Sequence, residues 1–230
     1  MSRANMDKNP QEVAAMFDGV ARRYDIVNDL LSLGRTKAWR RAATKVIAPA
    51  PGMKILDMAA GTGSSSAPLA AAGADVIAAD FSEGMIAAGK KVRPDLTFIK
   101  ADALNLPFDN NAFDLFTISF GLRNTQNTAK ALAEARRVVK PGGRLVVVEF
   151  SSPTFAPFRA IYMNYLMRAL PFIARKTSSN PDAYIYLADS IRAWPNQKAL
   201  AAQIVDAGWT QVGWKNLTGG VVAIHMAVAP

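Results

Sequence analysis

The fold is decided by Lys54-Ile-Leu-Asp-Met-Ala-Ala-Gly-Thr-Gly63, together with Asp80 at the end of the next apolar run. This stretch predicts a buried strand, a glycine turn into a helix N-terminus, and an acid that closes a second strand. The turn residues Gly61, Thr62 and Gly63 let a ligand approach the backbone, and a carboxylate such as Asp80 can hold two ribose hydroxyls. We therefore predict a nucleotide pocket, with an ordinary strand-to-helix turn as the alternative.

The same residues narrow the class of ligand. A dinucleotide fingerprint has a third glycine where this chain has Ser66, and its helix N-terminus faces a pyrophosphate. Asp57, at the end of the first strand, would repel a pyrophosphate and suits a cationic ligand. S-adenosylmethionine carries a sulfonium, an ammonium and a ribose but no phosphate. We predict S-adenosylmethionine as the cofactor. The alternative is NAD, which would make the protein an oxidoreductase.

Composition limits the classes of function. The chain has 230 residues, half of them hydrophobic, which suffices for one α/β domain with a full core. It has no cysteine and one histidine, so thiol chemistry is excluded, a zinc cluster is disfavoured, and we expect no bound metal. We find no secretion signal and expect a cytoplasmic protein. The net charge of +9 favours an anionic membrane surface or nucleic acid as partner.

Strands and helices alternate through the middle of the chain. The strands that we predict there are 54–58, 75–79, 97–101, 115–119 and 144–149. The predicted helices between them are 64–72, 83–91 and 126–139, and Lys140-Pro-Gly-Gly-Arg144 is expected to form a turn. A final helix at 197–207 leads to a hairpin of two strands, 209–217 and 220–229. The pattern predicts a doubly wound, mostly parallel sheet that ends in an antiparallel hairpin, with helices on both faces.

Two helix starts carry capping residues. Asn9 precedes Pro10, and Ser82 precedes the helix predicted at 83–91. Side chains of this type accept hydrogen bonds from the first backbone N–H groups of a helix, and proline fits the first helical position.

Two segments outside the core are basic. Residues 22–45 hold seven basic side chains against two acids and form either a solvated helical face or a patch that faces membrane or substrate. Residues 155–176 are rich in aromatic and aliphatic side chains, and all their charges are basic. Charges and Pro171 interrupt this segment too often for it to span a bilayer. We predict that it lies against lipid headgroups or covers an apolar pocket, with a helix packed on the sheet as the alternative.

Polar residues follow the carboxyl ends of the predicted strands, where ligands of doubly wound sheets bind. Asp102 could accept from an adenine amino group and the amide beside Ala103 could serve a ring nitrogen, although Asp102 could instead cap the next turn. Ser119, Arg123 and Asn124 follow the fourth strand, where cofactor and substrate should meet. A surface ion pair is the alternative role for Arg123.

Seven motifs together resemble the ubiquinone/menaquinone biosynthesis C-methyltransferase family. They are residues 17–25, 57–63, Asp80, 102–108, 118–124, 140–145 and 219–225. The resemblance runs from about residue 10 to the C-terminus. Its most specific parts are the Ser-Phe-Gly-Leu-Arg-Asn loop at 119–124 and Asn-Leu-Thr-Gly-Gly at 216–220, and Ala193-Trp-Pro195 resembles the actinobacterial branch.

The resemblance implies a class I S-adenosylmethionine-dependent methyltransferase (Rossmann-like) fold with seven strands, and a polyprenylated quinol as methyl acceptor. The cofactor positions that it carries over are Thr62, Asp80, Asp102 with Ala103, and Ser119. It implies methyl transfer to a ring carbon of demethylmenaquinol, with a polyprenyl benzoquinol as the alternative. Two positions depart from the family: Ser64 replaces a common acid, and Thr36 replaces a common histidine.

Three residues are expected to serve the chemistry. Removing a phenolic proton from the quinol makes the neighbouring ring carbon nucleophilic, and that carbon must then be aligned with the methyl group. We expect Arg123 to stabilise the phenolate, Asn124 to hold a water or the quinol oxygen, and Tyr24 to close over the cofactor. His225 has a suitable pKa for a general base, but a single strand histidine is more often structural, so the base stays open.

We expect one methyltransferase domain over 1–230. It would comprise a helical lid (1–48), a cofactor-binding core (49–150), a helical cap (151–195) and a final helix with the hairpin (196–230). Because a polyprenyl tail stays in the bilayer, we expect peripheral binding to the anionic inner face of the cell membrane. We find no basic ribbon interleaved with aromatic residues and expect no nucleic-acid partner. The oligomeric state is open, and an oligomer is one option.

Overall fold

A computed structural model describes residues 8–18, 34–169 and 181–230. Tyr24 and two parts of the predicted basic segments, 22–33 and 170–176, lie outside the described residues.

Seven strands form one sheet. They are β1 (Lys54–Met58), β2 (Asp75–Asp80), β3 (Thr97–Lys100), β4 (Phe113–Ser119), β5 (Val139–Phe150), β6 (Thr210–Leu217) and β7 (Val222–Val228). Their order is β3-β2-β1-β4-β5-β7-β6. The first five pair in parallel, whereas β7 is antiparallel to both β5 and β6. The predicted parallel sheet with an antiparallel hairpin is confirmed.

The described helices surround this sheet. They are α1 (Pro10–Asp18), α2 (Thr36–Ile47), α3 (Ala67–Ala70), α4 (Glu83–Val92), α5 (Thr128–Val138), α6 (Ala156–Asn164), α7 (Pro181–Ala193) and α8 (Gln197–Asp206). Both predicted caps are confirmed: Asn9 Oδ1 accepts from Gln11 N at 3.0 Å, and Ser82 Oγ accepts from Met85 N at 3.0 Å. None of these described helices is both long and apolar enough to cross a membrane.

The core lies on both faces of the sheet. Neighbouring residues of β1, Ile55 and Leu56, belong to different apolar clusters because successive side chains of a strand point to opposite faces. Ile55 packs with Trp39 of α2, whereas Leu56 packs with Leu132 of α5 and Ile204 of α8. Strands buried on both faces read as continuous apolar runs, as the central strands of this chain do.

Strand β5 begins at Val139, so the expected turn at 140–144 is wrong in part. The helix before it ends at Val138, one residue earlier than predicted, and Val139 already pairs with Phe113 before the register shifts. Gly142 has a φ of +75°, which glycine adopts readily, and its N–H donates to Ala229 O at 2.9 Å. The Pro-Gly-Gly sequence therefore forms an irregularity inside a strand.

Candidate active site

A cavity of about 820 Å³ lies at the carboxyl ends of the central strands. This volume falls within the usual range for small-molecule sites. The polar residues that line it and follow strands include Thr62, Asp80, Asp102 and Ser119. The aromatic residues that line it include Trp39, Phe120, Phe150, Phe158, Tyr162 and Tyr186.

The glycine turn after β1 is tied to the acid that ends β2. Gly61 N donates to Asp80 Oδ2 at 2.8 Å, and Ser82 N donates to Asp80 Oδ1 at 2.9 Å. Gly61 and Thr62, which were predicted to belong to the pocket, line the cavity. Gly63 does not line it: its φ is +83°, and an added Cβ would lie 2.9 Å from the side chains of Leu96 and Phe98. Glycine is favoured at 63 by its positive φ, and an added Cβ would also require the Leu96 and Phe98 side chains to shift.

Asp57 lies buried beneath the turn and does not line the cavity, so it does not face a ligand directly as the sequence led us to expect. The side chain is fully buried, and Oδ2 accepts from Ser65 Oγ at 2.7 Å and from Ser66 Oγ at 2.6 Å. Oδ1 has no hydrogen-bond partner in the described chain. Burial raises the pKa of Asp57 to about 6, the two hydroxyls oppose that rise, and the charge of Asp80 adds to it. Asp57 can therefore affect a ligand only by orienting Ser65, which lines the cavity, and by the electrostatic field of its charge.

Asp102 caps the turn after β3, which is the alternative weighed for it, and its contact with an adenine stays a prediction. Its Oδ1 accepts from Leu104 N at 2.8 Å and so stabilises the turn after β3. Asp102 and Ala103 also line the cavity, and Ser119 reaches it from the end of β4. The strand ends therefore bring together the residues that the sequence placed far apart.

Arg123 is buried, which rules out the alternative of a surface ion pair. Its Nη1 lies 2.9 Å from Oε1 of Glu149 in β5, and its backbone N donates to Oε2 at 3.3 Å. The guanidinium lies 5.2 Å from the ring centroid of Phe150. Asn124 Oδ1 accepts from Tyr186 at 3.3 Å. Both Arg123 and Asn124 line the cavity.

Glu149 was missed by the sequence interpretation. It is 1 % exposed, and burial raises the pKa of its carboxyl while the Arg123 charge opposes that rise. The signal was present, because an acid that closes the apolar run Leu-Val-Val-Val-Glu requires a buried partner.

His225 does not take part in this site. It lies buried in β7, its Nε2 is 2.9 Å from the carbonyl oxygen of Gln197, and it does not line the cavity. Burial lowers the pKa of His225. The structural role weighed for this histidine is the one that the contacts support.

Trp39, in the aromatic wall of the cavity, is held by a polar contact. Trp39 Nε1 donates to Thr218 Oγ1 at 2.8 Å. Its ring centroid lies 5.9 Å from that of Phe120 and 6.2 Å from that of Phe150, distances typical of interacting aromatic rings. Burial raises the pKa of Tyr162, so this phenol stays neutral. Such a wall suits a flat apolar ring.

Among the described residues, no three His, Asp or Glu side chains come close enough together to hold a metal ion. That the protein needs no metal stays a prediction.

Sheet order and cavity position define the class: a Rossmann-like methyltransferase fold. Similar solved structures include S-adenosylmethionine-dependent methyltransferases from Thermotoga maritima and Aquifex aeolicus. The first has a TM-score of 0.66 at 18% identity and covers 94% of this chain and 99% of that chain. The second has a TM-score of 0.60 at 18% identity and covers 83% and 89%. At such identities they establish the fold alone.

The sequence comparisons then establish the family. A model of the ubiE/COQ5 methyltransferase family matches residues 5–229. A protein of Renibacterium salmoninarum named demethylmenaquinone methyltransferase is 60% identical over 227 residues, covering 99% of this chain and 96% of that protein. One of the same name from Mycolicibacterium paratuberculosis is 58% identical over 230 residues, covering 100% and 99%. The chain belongs to the ubiE/COQ5 methyltransferase family, and the resemblance read from its motifs is confirmed.

Proposed function

We propose that this protein transfers the methyl group of S-adenosylmethionine to a ring carbon of demethylmenaquinol, giving menaquinol and S-adenosylhomocysteine in the last step of menaquinone biosynthesis. Family membership and the names of the close relatives support the reaction. The structural observation that carries it is one cavity lined both by the Gly61–Asp80 pair and by Arg123 with Asn124.

The donor is assigned to the strand ends. Asp80, oriented by two backbone N–H groups, would hold the ribose hydroxyls. Asp102 and Ala103 would contact the adenine, and Ser119, Gly61 and Thr62 would complete the site, while Gly63 would shape the turn without lining the cavity. S-adenosylmethionine supplies a methyl group activated by a sulfonium. The residues fit this ligand because a buried acid, Asp57, lies under the turn without a cationic partner in the described chain.

The acceptor is assigned to the aromatic side of the cavity. The ring of the quinol would lie against the wall formed by Trp39, Phe120 and Phe150, with one oxygen at Arg123 and Asn124. N–H donors fixed in a buried site stabilise a developing phenolate more than donors in water do. Because Glu149 balances the charge of Arg123, the arginine would act through directed hydrogen bonds.

An anionic membrane surface is the proposed partner, and α6 is the proposed contact. Phe155 and Ile161 are 66 % and 68 % exposed, and Arg159 between them is exposed as well. Residues 151–181 contain no acid. Phe158 and Ile161 also line the cavity, so one helix offers an apolar outer face and a wall of the site. A polyprenyl tail could pass along this helix into lipid.

The test is a transfer assay with a deuterated methyl donor and two reduced acceptors, demethylmenaquinol and a polyprenyl benzoquinol that lacks the same methyl. We expect the label on a ring carbon of the naphthoquinol, located by mass spectrometry. Label on the benzoquinol alone would favour the ubiquinone-type reaction, and label on neither would contradict the proposal.

A further inference from the structure

A buried carboxylate holds the loop after β4 from the core side. Glu149 Oε1 accepts from Arg123 Nη1 at 2.9 Å and from Phe150 N at 2.8 Å, while Oε2 accepts from Arg123 N at 3.3 Å. One carboxylate therefore fixes both the main chain and the side chain of Arg123. Glu149 itself is 1 % exposed and does not line the cavity.

A tyrosine of α7 holds the next residue of the loop. The hydroxyl of Tyr186 lies 3.3 Å from Asn124 Oδ1, and its ring packs against Val13 and Met16 of α1. That hydrogen bond assigns the amide oxygen of Asn124 to Tyr186 and leaves the amide NH2 as the group available to a ligand.

The donors of Arg123 are divided in the same way. Its Nη1 binds Glu149 and the carbonyl oxygen of Phe120, and its Nε lies 3.4 Å from Ser190 Oγ of α7. Within the described chain Nη2 has no such partner, and Arg123 lines the cavity. Each of the two loop residues thus lines the cavity and keeps one N–H edge that no described residue binds.

We infer that Glu149 and Tyr186 are positioning residues for methyl transfer: they aim the remaining N–H edges of Arg123 and Asn124 at the acceptor oxygen. The inference rests on the proposed function. An arginine side chain left unheld would populate many rotamers, and donors stabilise an oxyanion best when they are fixed before the reaction. A misplacement of about 1 Å can cost about 100-fold in rate.

Two double-mutant cycles test this inference, one with Glu149→Gln and Arg123→Ala, the other with Tyr186→Phe and Asn124→Ala. Measured at saturating donor and quinol, kcat should fall about 100-fold for Glu149→Gln and about tenfold for Tyr186→Phe. The Kd for S-adenosylmethionine should stay unchanged. Because each residue acts through its neighbour, neither change should lower kcat more than about twofold further in the Arg123→Ala or Asn124→Ala background.

Matched controls separate positioning from general loss of structure. Asp114→Asn removes an acid that, like Glu149, accepts from a cation (Lys140) and a backbone N–H (Lys54). Trp209→Phe removes a buried aromatic hydrogen bond, to Leu132 O. Neither Asp114 nor Trp209 lines the cavity, so both variants should lower the Tm while kcat is unchanged.

The outcomes are distinguishable. The inference is overturned if Glu149→Gln lowers kcat as much in the Arg123→Ala background as in the wild type, and likewise for Tyr186→Phe in the Asn124→Ala background. It is also overturned if the single variants keep the kcat of an active wild-type enzyme. A wild-type protein that methylates neither quinol would overturn the proposed function and this inference with it. Tyr186→Phe keeps the ring and its packing, so it decides the question even where Glu149→Gln fails to fold.

Discussion

The ends of β1 and β5 each carry a buried carboxylate, but they compensate it differently. Asp57 is bound by two neutral hydroxyls, those of Ser65 and Ser66, whereas Glu149 is bound by the guanidinium of Arg123 and by two backbone N–H groups. Neutral donors offset the cost of a buried charge less than a cation does. The first region thus suits a ligand that brings its own positive charge, and the second has its counter-charge already.

Removing the cation of the second region should have the largest effect. Arg123→Ala should lower kcat about 10²- to 10³-fold, because a directed donor to the phenolate is lost. It should also lower the free energy of unfolding by about 3–5 kcal/mol, because Glu149 is left buried without its partner. Steady-state kinetics and urea unfolding measure the two effects. Unchanged turnover would remove Arg123 from the chemistry.

The carboxylate of the first region should make stability depend on pH. Asp57 has a pKa of about 6 in the folded protein against about 3.9 in an unfolded chain, so the folded state binds the proton more tightly and loses stability as the pH rises through this window. Asp57→Asn cannot titrate. The unfolding free energy of the variant minus that of the wild type should therefore increase by about 3 kcal/mol between about pH 4 and about pH 7. A difference that does not vary with pH would contradict the pKa of Asp57.

Asp80 ends β2 next to the first region and binds its turn at Gly61, so it should affect binding of the donor. Asp80→Asn should raise the Kd for S-adenosylmethionine about 10- to 100-fold, because a charge-assisted acceptor for two hydroxyls is lost. Asp75→Asn is the control, since Asp75 is exposed at the other end of the same strand. Calorimetry measures both Kd values. If they are equal for the two variants, Asp80 has no role in donor binding.

The smallest expected effect concerns the outer face of α6. Ile161→Ser should weaken binding to anionic liposomes by about fivefold, because one exposed apolar side chain is lost from the contact. Val92→Ser is the matched control, since Val92 is 65 % exposed on α4 and does not line the cavity. Added salt should weaken binding of the wild type as well. If neither Ile161→Ser nor added salt weakens binding, α6 is not the contact.

Most of the fold was predictable because its signals are local. The glycine turn, the apolar runs and the caps at Asn9 and Ser82 each specify nearby backbone. The start of β5 was not predictable, because Pro-Gly-Gly favours a turn while pairing with Phe113 and Ala229 is set by residues far along the chain. The division of the chain into lid, core, cap and hairpin stays a prediction.

The site was predictable only in outline. Strand ends placed Asp80, Asp102, Ser119 and Arg123 at one edge of the sheet, and all four line the cavity. The depth of Asp57 could not be read, because both faces of β1 are buried and the apolar pattern does not show which residues lie below the turn. The partner of Arg123 could not be read either, since Glu149 is 26 residues away.

The two regions are assigned different tasks, donor binding and acceptor activation, and rapid-quench transfer of a labelled methyl group to demethylmenaquinol tests that division most directly. We expect Asp80→Asn to slow transfer at low donor concentration and to recover at saturation. Arg123→Ala should stay slow when donor and quinol are both saturating. Variants that both recover, or that both stay slow, would contradict the division of tasks between the two carboxylate regions.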